Sequence, residues 1–468
     1  MFKTLKNAWK IPELKNKLLF TLLIVILYRI GSAIPVPYFD YSASLADTEM
    51  FTNGILGFLS TLSGGALAQG TLLALGVSPY ITASIVVQLL TIAIPALERL
   101  SKEGEEGKKK INFITRIITV ILAIITAVGY TMFVMSSTTM TGEPIFLGSS
   151  VGEGAASKWF AGAVMVMCYC AGAMLVMWLA EKINDHGIGN GISIILFANI
   201  VAGFFQQAGY LYNATFLSHK MEDGQFGFNY VGLIISIVTI IALLGLLMMI
   251  VWMSDAERRI PIQYAKRVVG RKMYGGQNTN LPIKVNMSGV MPIIFANSIV
   301  AVPATIRAFM GADTHNWFTD FVDYWFNYNT VIYLVVFLVL LIAFAYFYVA
   351  ISFNPVEVAN NIKNNGGAIP GLRSGRPTVD FIKKVLGRVT LVGALLVAII
   401  ACVPMLAGVI STPIANALPE TLFAEAVQYI GFMAFGGSSL MIVVGVALET
   451  TRELEAQMSL RNYKGFLD

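Results

Sequence analysis

The sequence predicts an all-α polytopic membrane protein, ten transmembrane helices in two inverted five-helix halves. Three observations predict it. The 468 residues are 56% hydrophobic and only 13% charged, with a mean hydropathy of +0.71, which places the chain in the membrane class. Ten apolar segments can be marked, most of them near the roughly 20 residues that cross a bilayer as a helix. Lys and Arg collect in alternate loops between those segments, the pattern of the positive-inside rule.

Taken in order, the segments are 18–34, 76–97, 113–134, 160–180, 192–205, 231–252, 287–306, 331–353, 389–410 and 429–448. The first is followed by Ile34-Pro35-Val36-Pro37, a poor small-residue cleavage site, so it reads as an uncleaved span. The stretch 54–99 has no charge before Glu98, yet glycines and Ser78-Pro79 interrupt it. Broken backbone at membrane depth is tolerated only against protein or a water-filled cavity. The stretch therefore divides into a loose glycine-rich piece and a firm helix beside something wet. The fifth segment is short, and Gly189 and Asn190 are expected to extend it. Arg29 falls toward the outer end of the first span and Arg116 at the cytoplasmic edge of the third. Cys168, Cys170 and Cys402 lie in apolar runs without zinc spacing and read as buried free thiols.

The charges fix direction. Lys3, Lys6, Lys10, Lys15 and Lys17 precede the first segment, and Arg99 to Lys110 follow the second. Further basic groups follow the fourth, sixth, eighth and tenth, whereas the opposite loops hold only Lys158, Lys220 and Arg307. Both termini are thereby expected in the cytoplasm, with an even number of spans. Five plus five spans give halves of opposite topology, 1–210 and 211–468, as in inverted repeats. The second and seventh spans are both interrupted near their start, by Ser78-Pro79 and by Ser288-Gly289 with Pro292. That correspondence points to a central pathway.

Two cytoplasmic loops are large, 254–286 and 354–387, and loops of that length are usually functional or disordered. The first alternates apolar and basic residues in RIPIQYAKRVVGR (259–271), which suits a short projecting hairpin; the second carries turn-forming Asn364 to Gly367 and Pro370-Gly371. Orientation signals and lipid headgroup contact would account for the charge alone. The apolar residues threaded among the charges favour a docking surface.

Ionisable groups inside the spans would betray an ion-coupled transporter or a membrane enzyme. Here they are nearly missing. There is no HExxH, no P-loop, no GxSxG and no intramembrane carboxylate pair, and His186, His219 and His315 all fall in loops. No catalytic residue, metal ligand or cofactor site is expected. What the spans offer is spaced aliphatics: Val77, Ile81 and Ile85 share one face of the second helix, as Ile192 and Leu196 do on the fifth. By itself such spacing is ordinary packing.

The run LGVSPYITASIVVQLL (75–90) followed by ERLSKEGEEGKKKI (98–111) resembles the second span and first cytoplasmic loop of the SecY family. Members of that family form the channel of the bacterial protein translocase. RIGSAIPVP (29–37), SGGAL (63–67), HGIGNGISII (186–195), QYAKR (263–267), LPIKVNMSGVMP (281–292), FNPVEVANN (353–361) and GGSSL (436–440) are similar to family runs in the same order. The resemblance covers nearly the whole chain.

It implies a clamshell around an hourglass pore that passes unfolded secretory polypeptides and releases membrane segments sideways. The constriction would be an aliphatic ring of Val77, Ile81, Ile85, Ile192, Leu196, Ile294 and Ile442. A plug over about 55–72 would include Phe58, Leu59, Leu62, Ser63, Gly64, Gly65, Ala66 and Leu67. A lateral gate between spans two and three and spans seven and eight would carry Thr82, Gln88, Asn286 and Asn297. Arg258, Arg259, Lys266, Arg267, Arg271, Arg373 and Arg376 would meet the motor ATPase SecA or the ribosome. Arg373 is the critical one, with Ser374 where many relatives have proline. SecE and SecG subunits, membrane lipids and the cytoplasmic membrane of a bacterium complete the expectation. A secondary transporter with inverted repeats is the competing reading, and a membrane-embedded enzyme is a third. Both should show ionisable or catalytic groups near the midplane.

Overall fold

The computed structural model describes residues 2–40, 45, 55–137, 145–147, 155–216, 219–220, 226–227, 229–264, 267–269, 272–274, 278–310, 316–327, 330–417 and 436–464. Helices dominate it. Five of them, by length and composition, could each cross a membrane, or six if one bent pair counts as a span.

At the start, α1 (Phe2–Trp9) precedes α2 (Pro12–Gly31). Glu13, Lys15 and Lys17 occupy the first turns of α2, so only its later part is apolar. After the short α3 (Ile55–Ser63), α4 (Ser78–Ala93) and α5 (Pro95–Lys102) meet at a 102° bend. The sequence reading had run one span to residue 97. Ile94 is extended (φ −108°, ψ 111°), because the ring of Pro95 crowds a helical residue before it. Beyond the bend α5 is amphipathic, with Lys102 and Glu98 paired at 2.6 Å on its surface.

The long helices α6 (Glu105–Ser136) and α7 (Ala155–His186) follow, then α8 (Gly191–Phe216). The fifth segment is thus extended at its far end and not at its beginning. Asn190 stays outside the helix: its side-chain oxygen accepts from Ile192 N at 3.1 Å, while Asn184 accepts from Gly191 N at 2.7 Å. Polar capping of this kind satisfies the orphan donors of a first turn. α8 also runs six residues past position 210, where the sequence reading divided the halves.

In the second half, α9 (Tyr230–Asp255) is capped by Asn229, which accepts from Gly232 N at 2.9 Å. It is the most exposed of the candidate spans, as a helix facing lipid should be. The loop that follows forms the predicted hairpin: β3 (Glu257–Tyr264) pairs antiparallel with β6 (Asn278–Lys284), and β4 (Arg267–Val269) with β5 (Lys272–Tyr274) between them. Next come α10 (Met291–Phe309), α11 (Trp317–Trp325), α12 (Val331–Ser352) and α13 (Pro355–Asn364). The strand β7 (Gly367–Ala368) adds to the free edge of β3. α14 (Arg376–Ala417) starts thirteen residues before the apolar segment at 389, since Arg376 to Arg388 continue the helix outside any apolar stretch. α15 (Gly436–Lys464) closes the chain. A two-residue hairpin, β1 (His219–Lys220) with β2 (Phe226–Gly227), links α8 to α9.

Among the described residues, a small cluster of Ala8, Leu14, Ile188 and Leu454 ties the N-terminal helices to α15, and three larger cores organise the rest. The largest draws on α2, α4, α7, α8, α9, α10, α12, α14 and α15. A second belongs to the first half and gathers Val36, Phe39, Leu67, Ala68, Tyr130 and Tyr169. The third joins the two large loops: Ile260, Ile262 and Ile283 of the hairpin pack with Ile362 of α13, Ile369, and Ile382 and Leu386 of α14. Strand alternation does this, for Ile260 and Ile262 are buried while Arg259, Pro261 and Gln263 are exposed.

Candidate functional site

The broken stretch and its surroundings are the place to build from. α3 ends at Ser63, and Gly64 and Gly65 take φ values of +68° and +88°. Only glycine enters that region readily, so these two residues turn the chain sharply after the short helix. Ser63 Oγ accepts from Leu67 N at 3.1 Å and steadies the turn. The chain then returns to α4, which opens with Ser78 and Pro79, a favoured place for proline.

The polar groups that hold this segment come from elsewhere in the first half. Asn199 of α8 is fully buried. Its amide nitrogen donates to Leu62 O and to Tyr28 Oη, both at 2.9 Å. The Tyr130 hydroxyl of α6 donates to Leu67 O, and that of Tyr169 on α7 to Gly70 O at 3.4 Å. Arg29 turns inward from α2. A Cβ at Gly64 would lie 2.6 Å from its Nη1, and its Nη2 donates to Ala198 O at 3.5 Å. Three helices, α8, α6 and α7, thus bond the carbonyls of Leu62, Leu67 and Gly70. Sequence position alone places Arg29 toward the outer end of its span and does not single out Asn199, Tyr28, Tyr130 or Tyr169. A lone Asn and three Tyr in otherwise apolar runs were the available signal.

The spaced aliphatics belong to the core on which this segment packs. Val77, Ile81 and Ile85 beside and on α4, Leu196 on α8, Ile294 on α10 and Ile442 on α15 are all buried in the largest core, and Ile192 packs against it. All seven expected ring residues therefore belong to or pack on the largest hydrophobic core. Of the expected plug residues, Leu59 and Leu62 pack on that cluster, Ala66 and Leu67 are buried, and Ser63, Gly64 and Gly65 form the turn. The side chain of Phe58 lies outside the described residues.

α10 packs against α4 and α6, and α3 lies against α8 and α10. Here helices from early and late in the chain meet. Thr82 Oγ1 donates to Ser78 O at 3.0 Å within its own helix. The exposed Gln88 donates to Ser84 Oγ at 3.3 Å, and Asn286 accepts from Ser288 Oγ at 3.4 Å. Asn297 is buried with its amide nitrogen unpartnered. These bonds are local to each segment. Pro303 removes one backbone donor from the interior of α10.

Of the expected docking residues, Arg258, Arg259, Arg373 and Arg376 are exposed on the joint platform of the two loops. Arg259 pairs with Glu257 at 2.6 Å. Thr378 Oγ1 donates to Arg373 O at 2.8 Å, which ties the arginine turn to the start of α14. Arg267 belongs to β4, with its side chain outside the described residues, as are Lys266 and Arg271 altogether. Below the platform, Arg452 of α15 pairs with Asp255 and donates to Ser254 O, both at 2.8 Å. The nearby Lys284 ammonium is held below its usual pKa, first by desolvation and then by Arg452, against the pull of Asp255 and Glu257. Among the described residues no cluster of His, Cys, Asp or Glu could hold a metal.

The helical fold is that of the protein-conducting channels. It superposes on one solved structure of a protein conducting channel with a TM-score of 0.61 and 20% identity, covering 95% of this chain and 92% of that one. It superposes equally on Sec61 in a canine ribosome-channel complex, with a TM-score of 0.59 and 18% identity over 95% and 92% of the two chains. The chain belongs to the SecY family, whose profile matches residues 71–451. Relatives named protein translocase subunit SecY are 43% identical in Streptomyces griseus and 36% identical in Bacillus subtilis, each matched over 100% of both chains.

Proposed function

We propose that this chain is the channel subunit of a Sec-type protein translocase. It passes unfolded secretory polypeptides across the cytoplasmic membrane of a bacterium and releases apolar segments sideways into lipid. One observation carries the reading: seven aliphatic residues from both ends of the sequence belong to or pack on one core, against which Leu59 and Leu62 of a segment bonded by three helices also pack. A moving polypeptide presents every kind of side chain. Hydrogen-bonding walls would hold some of them, whereas aliphatic walls close loosely on any chain and oppose wetting when shut. The full-length relatives, all translocase subunits by name, do not favour a secondary transporter.

In this reading the chain crosses the membrane ten times with both termini in the cytoplasm, and halves 1–210 and 211–468 form a clamshell. Helices overlie each of the ten apolar segments, and the alternation of basic loops supports the orientation. Val77, Ile81, Ile85, Ile192, Leu196, Ile294 and Ile442 are the constriction, and the segment 55–72, α3 with the loop after it, is the plug. α4 and α6 part from α10 and α12 as the lateral gate. Thr82, Gln88, Asn286 and Asn297 are polar points on it, satisfied locally or left over when it is closed. The cytoplasmic platform, with Arg258, Arg259, Arg373 and Arg376, receives SecA or the ribosome, whose phosphates attract such a patch at long range. The solved Sec61 relative is in a ribosome complex. SecE and SecG contact the flanks, and catalysis belongs to the motor.

Replacing Ile81 and Ile85 together by serine should raise resting ion conductance in planar bilayers. Conductance equal to the parent's would remove these residues from the constriction.

A further inference from the structure

α11 does something that neither the pore nor the gate requires. Its nine residues, WFTDFVDYW, divide into three faces at about 100° per residue. Thr319 and Val322 are buried against the protein. Asp320 and Asp323 occupy a second face. Trp317, Phe321, Tyr324 and Trp325 share the third, within an arc of about 100°, and all four are exposed, Trp317 at 82%. Trp317 stacks on Phe321 with centroids 5.9 Å apart, and Phe321 continues to Trp325 at 6.3 Å. Water is a poor surrounding for such a ladder.

Its neighbours say what covers it. Val302 and Ile306 on α10 and Val331, Val335 and Val339 on α12 are exposed apolar residues of the flanking spans. The ladder continues that lipid-facing surface at the end remote from the basic platform. Trp and Tyr collect at the interfacial level of a bilayer, where an apolar body and a polar tip are both accommodated. A bifurcated ion pair fixes the helix to α10: Arg307 Nε donates to both Asp323 Oδ1 at 3.1 Å and Oδ2 at 3.0 Å. Thr319 Oγ1 accepts from Asn316 N at 2.7 Å and fixes the entry into the helix.

We infer that α11 is an interfacial helix that binds the headgroup layer of the phospholipid bilayer through this aromatic face, and that the Arg307–Asp323 pair holds the end of α10 at that depth. The helix carries two acids and no base. It lacks the Lys and Arg by which most interfacial helices seek anionic lipid, so the occupant is a zwitterionic interface. The inference rests on the membrane embedding of the proposed channel but not on its transport activity.

The test uses the full chain in vesicles, with one tryptophan of the six kept at a time and the others replaced by phenylalanine. Trp317 and Trp325 are read in turn, and Trp252 of the exposed lipid-facing helix α9 serves as control. The vesicles are phosphatidylcholine brominated either near the carbonyls or near the chain ends. Emission of Trp317 and Trp325 should be blue-shifted and quenched more strongly by the shallow bromines. The quenching should not change when phosphatidylglycerol is added. Water-like emission untouched by either lipid overturns the inference, and so does blue-shifted emission without quenching, which means that protein covers the face. If Trp252 is also unquenched, the membrane embedding itself fails, and the two failures are told apart.

Discussion

Asn199 is the residue on which the closed loop depends most. Both protons of its amide are committed, one to Leu62 O and one to Tyr28 Oη. Asn199→Ala leaves both partners unpaired in a buried place, a cost of about 1–3 kcal/mol. Such a change shifts the balance between seated and displaced loop by roughly 5–150-fold. The expected result is a higher resting conductance in planar bilayers with the parent's export rate retained, and a silent mutant would remove the clasp. Gly172 of α7 makes a different kind of contact, since an added Cβ would overlap Leu72 O. Gly172→Ala should lower the thermal midpoint in detergent, because overpacking costs about 1–3 kcal/mol. Gly245→Ala on α9, where a Cβ meets nothing within 4 Å, is the control and should leave the midpoint in place. Residues of this kind were the least legible in the sequence. The aliphatic repeat of Val77, Ile81 and Ile85 is a spacing, and spacing can be read. Asn199 acts through a carbonyl 137 positions away, and no local pattern encodes that.

Elements were easier to read where a chemical rule punctuates them. Gly64-Gly65 and Ser78-Pro79 divided the broken stretch correctly, and the alternation of Ile260 and Ile262 with exposed neighbours gave the hairpin. Ile94-Pro95 carried the 102° bend in plain view. Apolarity concealed it, because an unbroken run of hydrophobic residues says nothing about direction. The joining of the two large loops into one platform was not legible, since β7 reaches β3 across more than a hundred residues. That platform makes the arginine turn testable. Arg373 is exposed, and its carbonyl rather than its side chain is used structurally. Arg373→Glu should therefore leave the fold intact and abolish SecA-driven export into inverted vesicles. Retained export would end the docking role.

For the molecule as a whole, the proposed path runs through the aliphatic cluster and past the seam between α4 and α10. A photoreactive residue at position 81 should crosslink to a stalled secretory precursor. One at Ile121, exposed on the lipid side of α6, should crosslink to lipid only, and equal yields at the two positions would refute the path. The proposed two-half organisation rests on charge and span count, because membrane insertion obeys a simple electrostatic rule. The tethering of the loop after α3 was not legible in the sequence. Its hydrogen-bond partners, Tyr130, Tyr169 and Asn199, all belong to the first half, while its approach to α10 is one of helix packing. In the proposed channel, when the halves part along the seam the loop therefore stays with its own half. In that proposal a hydrophobic segment leaves sideways through a slit while the axial seal is still in place. Membrane insertion and secretion become separable outputs of one machine, the first requiring a hinge to open and the second requiring, in addition, that a clasp be broken.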